Sequence, residues 1–152
     1  MDIQQEINEE IKRHRQIMVA YNGQMTLGRL IQALEKLMDK QKKIKEKYGH
    51  EAYIIFDFCG FYPTGIDSWR GHYSELALEY YSNDSKTHLT EFLQMLKDAV
   101  GKTFQGYKGG DFVMDEDTPI WVDNYGESHN TAVVGILDND FEIIILTGWR
   151  EF

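Results

Sequence analysis

The spacing of apolar residues divides the chain into helical and extended segments, beginning with a charged N-terminal stretch. Ile3, Ile7 and Ile11 recur four residues apart within residues 2–20, and this spacing predicts an amphipathic helix. Its apolar stripe is narrow and its other faces are highly charged. Such a stripe suits packing against another helix, for example one from a second subunit, and the alternative is a frayed terminal extension.

Two further amphipathic helices are predicted. The first is capped by Thr26 and stopped by Gly49, and its broad apolar face consists of Leu27, Leu30, Ile31, Leu34, Leu37 and Met38. A run of lysines in its last turns complements the helix dipole, and we interpret it as a solvated face. The other helix opens at Thr87 or His88 and ends at Gly101, with an inner face of Leu89, Phe92, Leu93, Leu96 and Val100.

Extended segments alternate with these helices. Residues 52–58 are apolar, as in a central strand, and residues 75–81 alternate, as in a half-buried strand. Four more strand-like segments follow the third helix: residues 102–112, 118–124, 131–137 and 141–147, of which the last two form a hairpin. The order αα-ββ-α-ββββ predicts an α+β domain with a mostly antiparallel sheet packed by helices. We assign residues 25–152 to this single ligand-binding domain and residues 1–24 to a helical extension used in oligomerisation.

Residues 60–73, GFYPTGIDSWRGHY, are predicted to form a loop between the first two strands. This loop is longer and more aromatic than a chain reversal requires. Arg70 follows Trp69, so its guanidinium can hold an anion beside a flat ring. The alternative is a well-packed structural loop in which Arg70 bonds to neighbouring carbonyls, and the local sequence favours neither reading.

Composition indicates a globular protein and narrows its partners. The 152 residues are 42% hydrophobic, which is enough for one sizeable core. The net charge of −9 disfavours polymeric nucleic acid, whereas a small anionic ligand can still be held by a few convergent donors. No apolar run approaches the roughly 18 residues of a membrane span, and the charged N-terminus differs from a signal peptide. Because Cys59 is the single cysteine, we expect no internal disulfide and a cytoplasmic location.

The residue types that most often carry catalysis do not form a recognisable motif. Gly101-Lys102-Thr103 resembles the end of a phosphate-binding loop, but it follows a predicted helix, and Leu96 stands where the loop needs glycine. The five histidines lack the spacing of a zinc site, and no serine has the context of a nucleophile elbow. We therefore predict no catalytic residue, no metal and no cofactor.

The segments between the later strands carry groups suited to a nucleotide. Glycines at three of the seven positions in residues 105–111 expose backbone N–H groups around Tyr107 and Lys108, although a twisted strand also needs glycine at its bends. Further along, an indole and two amides suit stacking and recognition of a base edge, and the alternative places them in the core and in a turn. The predicted ligand-binding residues are Arg70, Tyr107, Lys108, Trp121, Asn124, Asn130 and Thr131.

Long stretches of the chain also resemble a known family. FDFCGFYPTGIDSWRG and LALEY lie in residues 56–80, and GKTFQGYKGGDF and DEDTPIWVDNYGESHNTAVVGI lie in residues 101–136. This pattern resembles the first-described Thoeris anti-defence family of phage proteins, from about Met25 to the C-terminus. The resemblance implies a homo-oligomer, a dimer or a hexamer, in the cytoplasm of an infected bacterium.

The function that the resemblance implies is sequestration. Members of the family bind cyclic ADP-ribose isomers made by bacterial TIR-domain enzymes and hold them without cleavage, and some also bind cyclic oligonucleotides of the CBASS system at a separate site. Two alternatives stay open. The protein can be an inhibitor that blocks a host defence enzyme directly, since its acidic surface suits mimicry of nucleic acid. It can also be a signal-degrading enzyme, for which His72, His129 and the acidic residues 115–117 are the candidates.

Overall fold

The structure is a computed structural model, and it describes residues 2, 3, 5, 6, 23–68, 75–81, 86–105, 111–123 and 131–149. Most of the helix predicted over residues 2–20 lies outside the described residues. At its start, the Gln5 amide donates to Asp2 Oδ1 at 2.7 Å, and the Asp2 amide donates to Gln5 Oε1 at 3.2 Å. This reciprocal pair is the arrangement of a capping box, which satisfies amides that a helix start leaves unpaired.

The segment predicted as one long helix forms two, α1 (Leu27–Glu35) and α2 (Met38–Tyr48). The continuous helix was a wrong prediction, because the Leu37 amide bonds at 3.0 Å to the carbonyl three residues back and tightens the chain there. Both predicted ends are confirmed: Thr26 caps α1, and Gly49 ends α2 with a φ of 88°. The apolar spacing continues through the break, so the pattern alone gives no sign of it.

A buried glutamine explains where α2 lies. Gln41 has no exposed surface, although its helix is rich in lysine. Its Nε2 donates to Asp140 O and its Oε1 accepts from the Ala52 amide, both at 2.8 Å. Lys40 beside it forms ion pairs with Asp138 and Asp140. These contacts hold α2 against a turn and the start of a strand, while the other lysines of the run are exposed, as predicted: Lys42, Lys43, Lys45 and Lys47.

The third helix, α3 (Leu89–Ala99), begins after His88, and Gly101 follows it with a φ of 79°. Val100 was wrongly assigned to its inner face. The helix ends at Ala99, and Val100 has extended backbone with a ψ of 123°, so its side chain is 37% exposed and Ala99 is buried instead. The rest of the predicted inner face is confirmed by the burial of Leu89, Phe92, Leu93 and Leu96.

Nine described strands form two sheets. Seven of them are β1 (Tyr53–Phe56), β2 (Tyr62–Ser68), β3 (Leu76–Tyr81), β4 (Thr87–His88), β7 (Ile120–Val122), β8 (Thr131–Asn139) and β9 (Glu142–Trp149). Their order in the main sheet is β2-β3-β7-β8-β9-β1-β4, and β5 (Thr103–Gln105) pairs with β6 (Asp111–Val113) separately. In the main sheet β1–β9 and β3–β7 are parallel, and the other neighbours are antiparallel. The predicted α+β class, with a mostly antiparallel sheet packed by helices, is confirmed.

The predicted loop of residues 60–73 contains the edge strand β2, so the loop was a wrong prediction for that part. Pro63 and Gly65 suggested a break in the chain. An edge strand tolerates proline, and the register shifts between these two residues as in a bulge. The aromatic content of this segment has a packing cause as well, because the Phe61 and Tyr80 rings stack with centroids 5.1 Å apart.

Most of the core lies between the helices and one face of the main sheet, which we call the inner face. It combines the apolar sides of α1 and α3 with inward residues of the strands, among them Ile54, Leu76, Leu78, Ile143 and Ile145. The opposite, outer face carries a smaller cluster of Ala77, Trp121 and Ala132. Within the described ranges, no helix has the length and apolar content needed to cross a membrane.

Candidate ligand-binding cleft

An open cleft of about 440 Å³ lies between α3 and β2. Its volume falls in the range of small-molecule sites, roughly 300–1,000 Å³. Ile66 of β2 lines one side. The helical side comes from residues spaced three or four apart, which one face of α3 and its extension bring together: Glu91, Gln94, Met95, Asp98 and Lys102.

The middle of the cleft combines apolar and polar surface. Ile66, Met95 and Ala99 provide apolar atoms against which the flat face of a base can pack. Gln94 Nε2 donates to Asp98 Oδ1 at 2.8 Å, so the amide and the carboxylate orient each other. A carboxylate accepts hydrogen bonds from ribose hydroxyls, as in dinucleotide-binding folds. These groups together suit a nucleoside.

A cation lies at the C-terminal end of the same helical wall. Lys102 follows α3 directly after Gly101. Its backbone is fixed, because its carbonyl accepts from the Met114 amide at 3.0 Å, and its Nζ lies 5.1 Å from the centroid of the Phe104 ring. A lysine ammonium is a compact charge suited to phosphate. The cleft therefore offers surface for a base, a ribose and a phosphate.

Three of the predicted ligand-binding residues follow β2 or β5 in the sequence, and β2 lines this cleft. Arg70 comes after the end of β2, and Tyr107 and Lys108 come after the end of β5, which begins next to Lys102. All three lie outside the described residues. Their contact with a ligand stays a prediction.

Trp121 and Thr131 lie on neighbouring strands away from the cleft. Trp121 has no exposed surface and packs with Ala77 and Ala132 on the outer face of the sheet. Its ring therefore contacts protein, as in the core placement weighed from the sequence. Thr131 is half-buried at the start of β8. Neither position tests a role in binding, so both roles stay predictions.

The two connections predicted to share a ligand begin at opposite ends of β7. β3 and β7 run parallel, with Leu76 beside Ile120 at their starts. β2 ends at the same place, with Ser68 beside Leu76, and Arg70 follows Ser68 by two residues in the sequence. β7 runs towards the other end of the sheet, and Asn124 and Asn130 follow it in the sequence, outside the described residues. Arg70 therefore follows in sequence a strand that lines the cleft, whereas Asn124 follows a strand that ends at the opposite side of the sheet.

Three carboxylates, Asp67, Glu79 and Asp123, lie near one another on the outer face. Burial raises the pKa of Glu79 above its ordinary value of 4.5, and repulsion from Asp67 and Asp123 raises it further. Gly65 makes room for the Glu79 side chain, because a Cβ at residue 65 would come within 2.6 Å of Glu79 Oε1. Within the described ranges, no group of three or more histidine, cysteine or acidic side chains is arranged to hold a metal ion.

Replacing Glu79 by glutamine is expected to stabilise the protein at neutral pH. Because the folded-state pKa is raised, ionisation of Glu79 lowers stability as the pH rises from the ordinary value of 4.5 through the folded-state value. Below 4.5 the carboxyl is protonated in both states, and the advantage of glutamine disappears. Since Glu79 is partly exposed, we expect a melting temperature only about 1–2 °C higher at pH 7.

Melting curves of Glu79→Gln and the parent protein between pH 4 and pH 8 measure this difference. Glu46→Gln, on the exposed face of α2, is the matched control. A gain for Glu79→Gln that is equally large at pH 4 and pH 8 would contradict the electrostatic cause.

Glu91, Gln94 and Asp98 were not identified from the sequence. They are polar residues on a helix whose other side is apolar, and such residues most often face solvent. The available signal was their spacing beside the apolar stripe, together with the cation that follows the helix. The sequence pattern does not show that β2 lies opposite these polar residues, so that they line one side of a cleft.

Comparison of the chain with protein-family models, with curated proteins and with solved structures finds no match. The structure itself places the protein in the α+β class, with a mostly antiparallel sheet.

Proposed function

We propose that the protein binds a cyclic nucleotide signal of the cyclic ADP-ribose type in the cleft between α3 and β2 and holds it without cleaving it. The observation that carries this proposal is the combination of apolar floor, carboxylates and lysine within one cleft of about 440 Å³. These groups can contact the base, the ribose and the phosphate of a nucleotide respectively.

The resemblance to the Thoeris anti-defence family supports the same proposal. Four of the strands within the resembling stretches, β2, β3, β7 and β8, are consecutive neighbours in the main sheet, and the other two, β5 and β6, pair separately. β2, at one edge of the main sheet, is also the strand that lines the cleft. The strand side of the candidate site therefore belongs to the sequence that carries the resemblance.

Ligand recovery tests the proposal directly. Purified protein is incubated with cyclic ADP-ribose isomers and, separately, with cyclic oligonucleotides, freed of unbound ligand, heated to denature it and analysed by chromatography. We expect an intact cyclic ADP-ribose isomer in the released fraction. Recovery of a hydrolysed product would instead indicate a signal-degrading enzyme. Absence of bound nucleotide together with stoichiometric capture of a host defence enzyme would indicate a protein inhibitor.

Arg70→Ala is expected to weaken this binding while the protein stays folded. A hydrogen bond between a charged side chain and phosphate contributes roughly 1.5–3 kcal/mol, which corresponds to a loss of affinity of about tenfold to a hundredfold. Calorimetric titration with the isomer that the parent protein retains measures the effect. Lys43→Ala, on the exposed face of α2, is the control for the loss of one positive charge. Unchanged affinity would remove Arg70 from the site, and loss of folding would favour the structural reading of its segment.

A further inference from the structure

The first turn of α3 is capped by residues from another part of the chain. His88, its N-cap residue, makes no side-chain hydrogen bond to the helix. The Glu51 carboxylate takes this place: Oε1 accepts from the Thr90 amide at 2.7 Å, and Oε2 accepts from the Thr90 hydroxyl at 2.8 Å. The Ala52 carbonyl accepts from the Leu89 amide at 3.0 Å. Two consecutive residues that precede β1 thus bind the first two amides of the helix, which have no partner within it.

Glu51 is placed to hold this turn firmly. Its surface is only 9% exposed, so water competes little for the carboxylate oxygens. Ala52 beside it is fully buried, and the Ala52 amide donates to Gln41 Oε1 of α2 at 2.8 Å. The pair of residues that caps α3 is therefore itself fixed, and a carboxylate at a helix N-terminus also interacts favourably with the helix dipole.

The turn held by Glu51 carries the first polar residue of the cleft. Glu91 lines the cleft and directly follows Thr90 in the sequence. Its side chain is 70% exposed, and its described ion-pair contact, from Oε1 to His88 Nδ1, is 3.6 Å long. This distance is too long for a hydrogen bond. The direction of the Glu91 side chain therefore depends on its backbone, which Glu51 fixes through Thr90.

The opposite wall of the cleft is joined to the same region. β4, which leads into α3, is one edge strand of the main sheet, and β2, which carries Ile66, is the other. The Thr87 hydroxyl of β4 donates to Pro63 O of β2 at 2.6 Å, so the two edges meet beside the first turn of α3. The geometry of this turn thus determines where Glu91 lies relative to the apolar side of the cleft.

We propose that Glu51 is a positioning residue for the ligand: by capping α3 it holds the Glu91 carboxylate where it can accept a hydrogen bond from a ribose hydroxyl. Glu51 does not line the cleft, so it acts on the ligand through Glu91. This inference rests on the proposed function for its effect on affinity, whereas the effect of Glu51 on the first turn of α3 is independent of any ligand.

Hydrogen exchange of backbone amides in the protein without ligand measures the hold on this turn. Glu51→Met removes both acceptors and keeps a side chain of similar length. The Thr90 amide is therefore expected to exchange about tenfold faster or more, beyond any change at the Leu96 amide in the middle of the same helix. Equal acceleration at the two positions would indicate a general loss of stability and would overturn the inference.

A double-mutant cycle tests the effect on the ligand. With the cyclic ADP-ribose isomer that the parent retains, we expect about tenfold weaker binding for Glu91→Ala and about three- to fivefold weaker binding for Glu51→Met. Because Glu51 acts through Glu91, the double variant should bind about as weakly as Glu91→Ala alone. A role in stability alone would leave the affinity of the folded protein unchanged. Losses that multiply in the double variant, or parental affinity of either single variant, would overturn the inference.

Thr90 provides a milder pair of variants for the case that Glu51→Met does not fold. Thr90→Val removes the hydroxyl that binds Glu51 and keeps the branched shape, whereas Thr90→Ser keeps the hydroxyl. We expect about twofold weaker binding for Thr90→Val, with no further loss when Glu91 is replaced by alanine, and parental binding for Thr90→Ser. Equal binding by the two variants would then overturn the inference. If the parent retains no isomer, the proposed function fails, and amide exchange still decides whether Glu51 holds the first turn.

Discussion

Gln94→Trp is expected to abolish ligand retention while leaving the protein folded. Gln94 is exposed in the middle of the helical wall, so an indole there occupies the cleft without entering the core. The substitution also removes the amide that donates to Asp98. A bulky ring within a cleft of about 440 Å³ leaves too little room for a base and a ribose. We expect a loss of affinity on the order of a hundredfold or more, measured by calorimetry with the isomer that the parent binds.

Lys97→Trp is the matched control for this experiment. Lys97 is exposed on the same helix and lies outside the cleft lining, so the indole points away from the proposed ligand. Its 4.0 Å ion pair with Glu35 is exposed and contributes little to stability. If Gln94→Trp still binds the ligand and its circular dichroism matches that of the parent, the ligand binds outside the cleft.

Gln41→Met is expected to cause the largest loss of stability among the substitutions considered. Methionine has nearly the shape of glutamine but cannot pair with the Ala52 amide or the Asp140 carbonyl. Gln41 has no exposed surface, so water does not readily replace these bonds. Leaving buried polar groups unpaired costs about 1–3 kcal/mol each, and we expect a total loss of about 2–4 kcal/mol. For a chain of this size the melting temperature should fall by about 6–12 °C.

Gln32→Met provides the comparison, because Gln32 is an exposed glutamine on α1. Its replacement should change the free energy of unfolding by no more than about 0.5 kcal/mol. Urea unfolding of both variants measures the two values. If the two variants differ little, the buried bonds of Gln41 do not hold α2 in place.

The parts of the fold that follow from local pattern were predicted from the sequence. Thr26, Gly49 and Gly101 mark helix ends for reasons of backbone chemistry, and the hairpin of β8 and β9 follows from two apolar runs around a polar turn. The break between α1 and α2 was missed because the apolar spacing continues through it, so the tightening of the chain at Leu37 leaves no mark on that pattern. The position of α2 was missed for a different reason: Gln41 binds a turn that is about a hundred residues away in sequence, and no local periodicity records such a contact.

The edge strand and the cleft were missed for a related reason. Pro63 and Gly65 indicate a loop when read locally, but both fit an edge strand with a bulge. Glu91 and Asp98 resemble an ordinary solvated face until β2 is placed opposite them. For the predicted ligand residues the sequence supplied plausible chemistry, but which of them meet depends on the order of strands, and that order is a property of the whole sheet.

The meeting of the sheet edges also affects how the protein behaves at high concentration. An open sheet edge presents a row of unpaired backbone groups onto which another chain can add a strand. Here one edge is only two residues long, and the other carries Pro63 and a bulge, with the Pro63 carbonyl already bonded to Thr87. Neither edge of the main sheet is therefore a good template for strand-paired aggregation. Self-association of the kind expected from residues 1–24 would instead use side chains on helices or on the faces of the sheet.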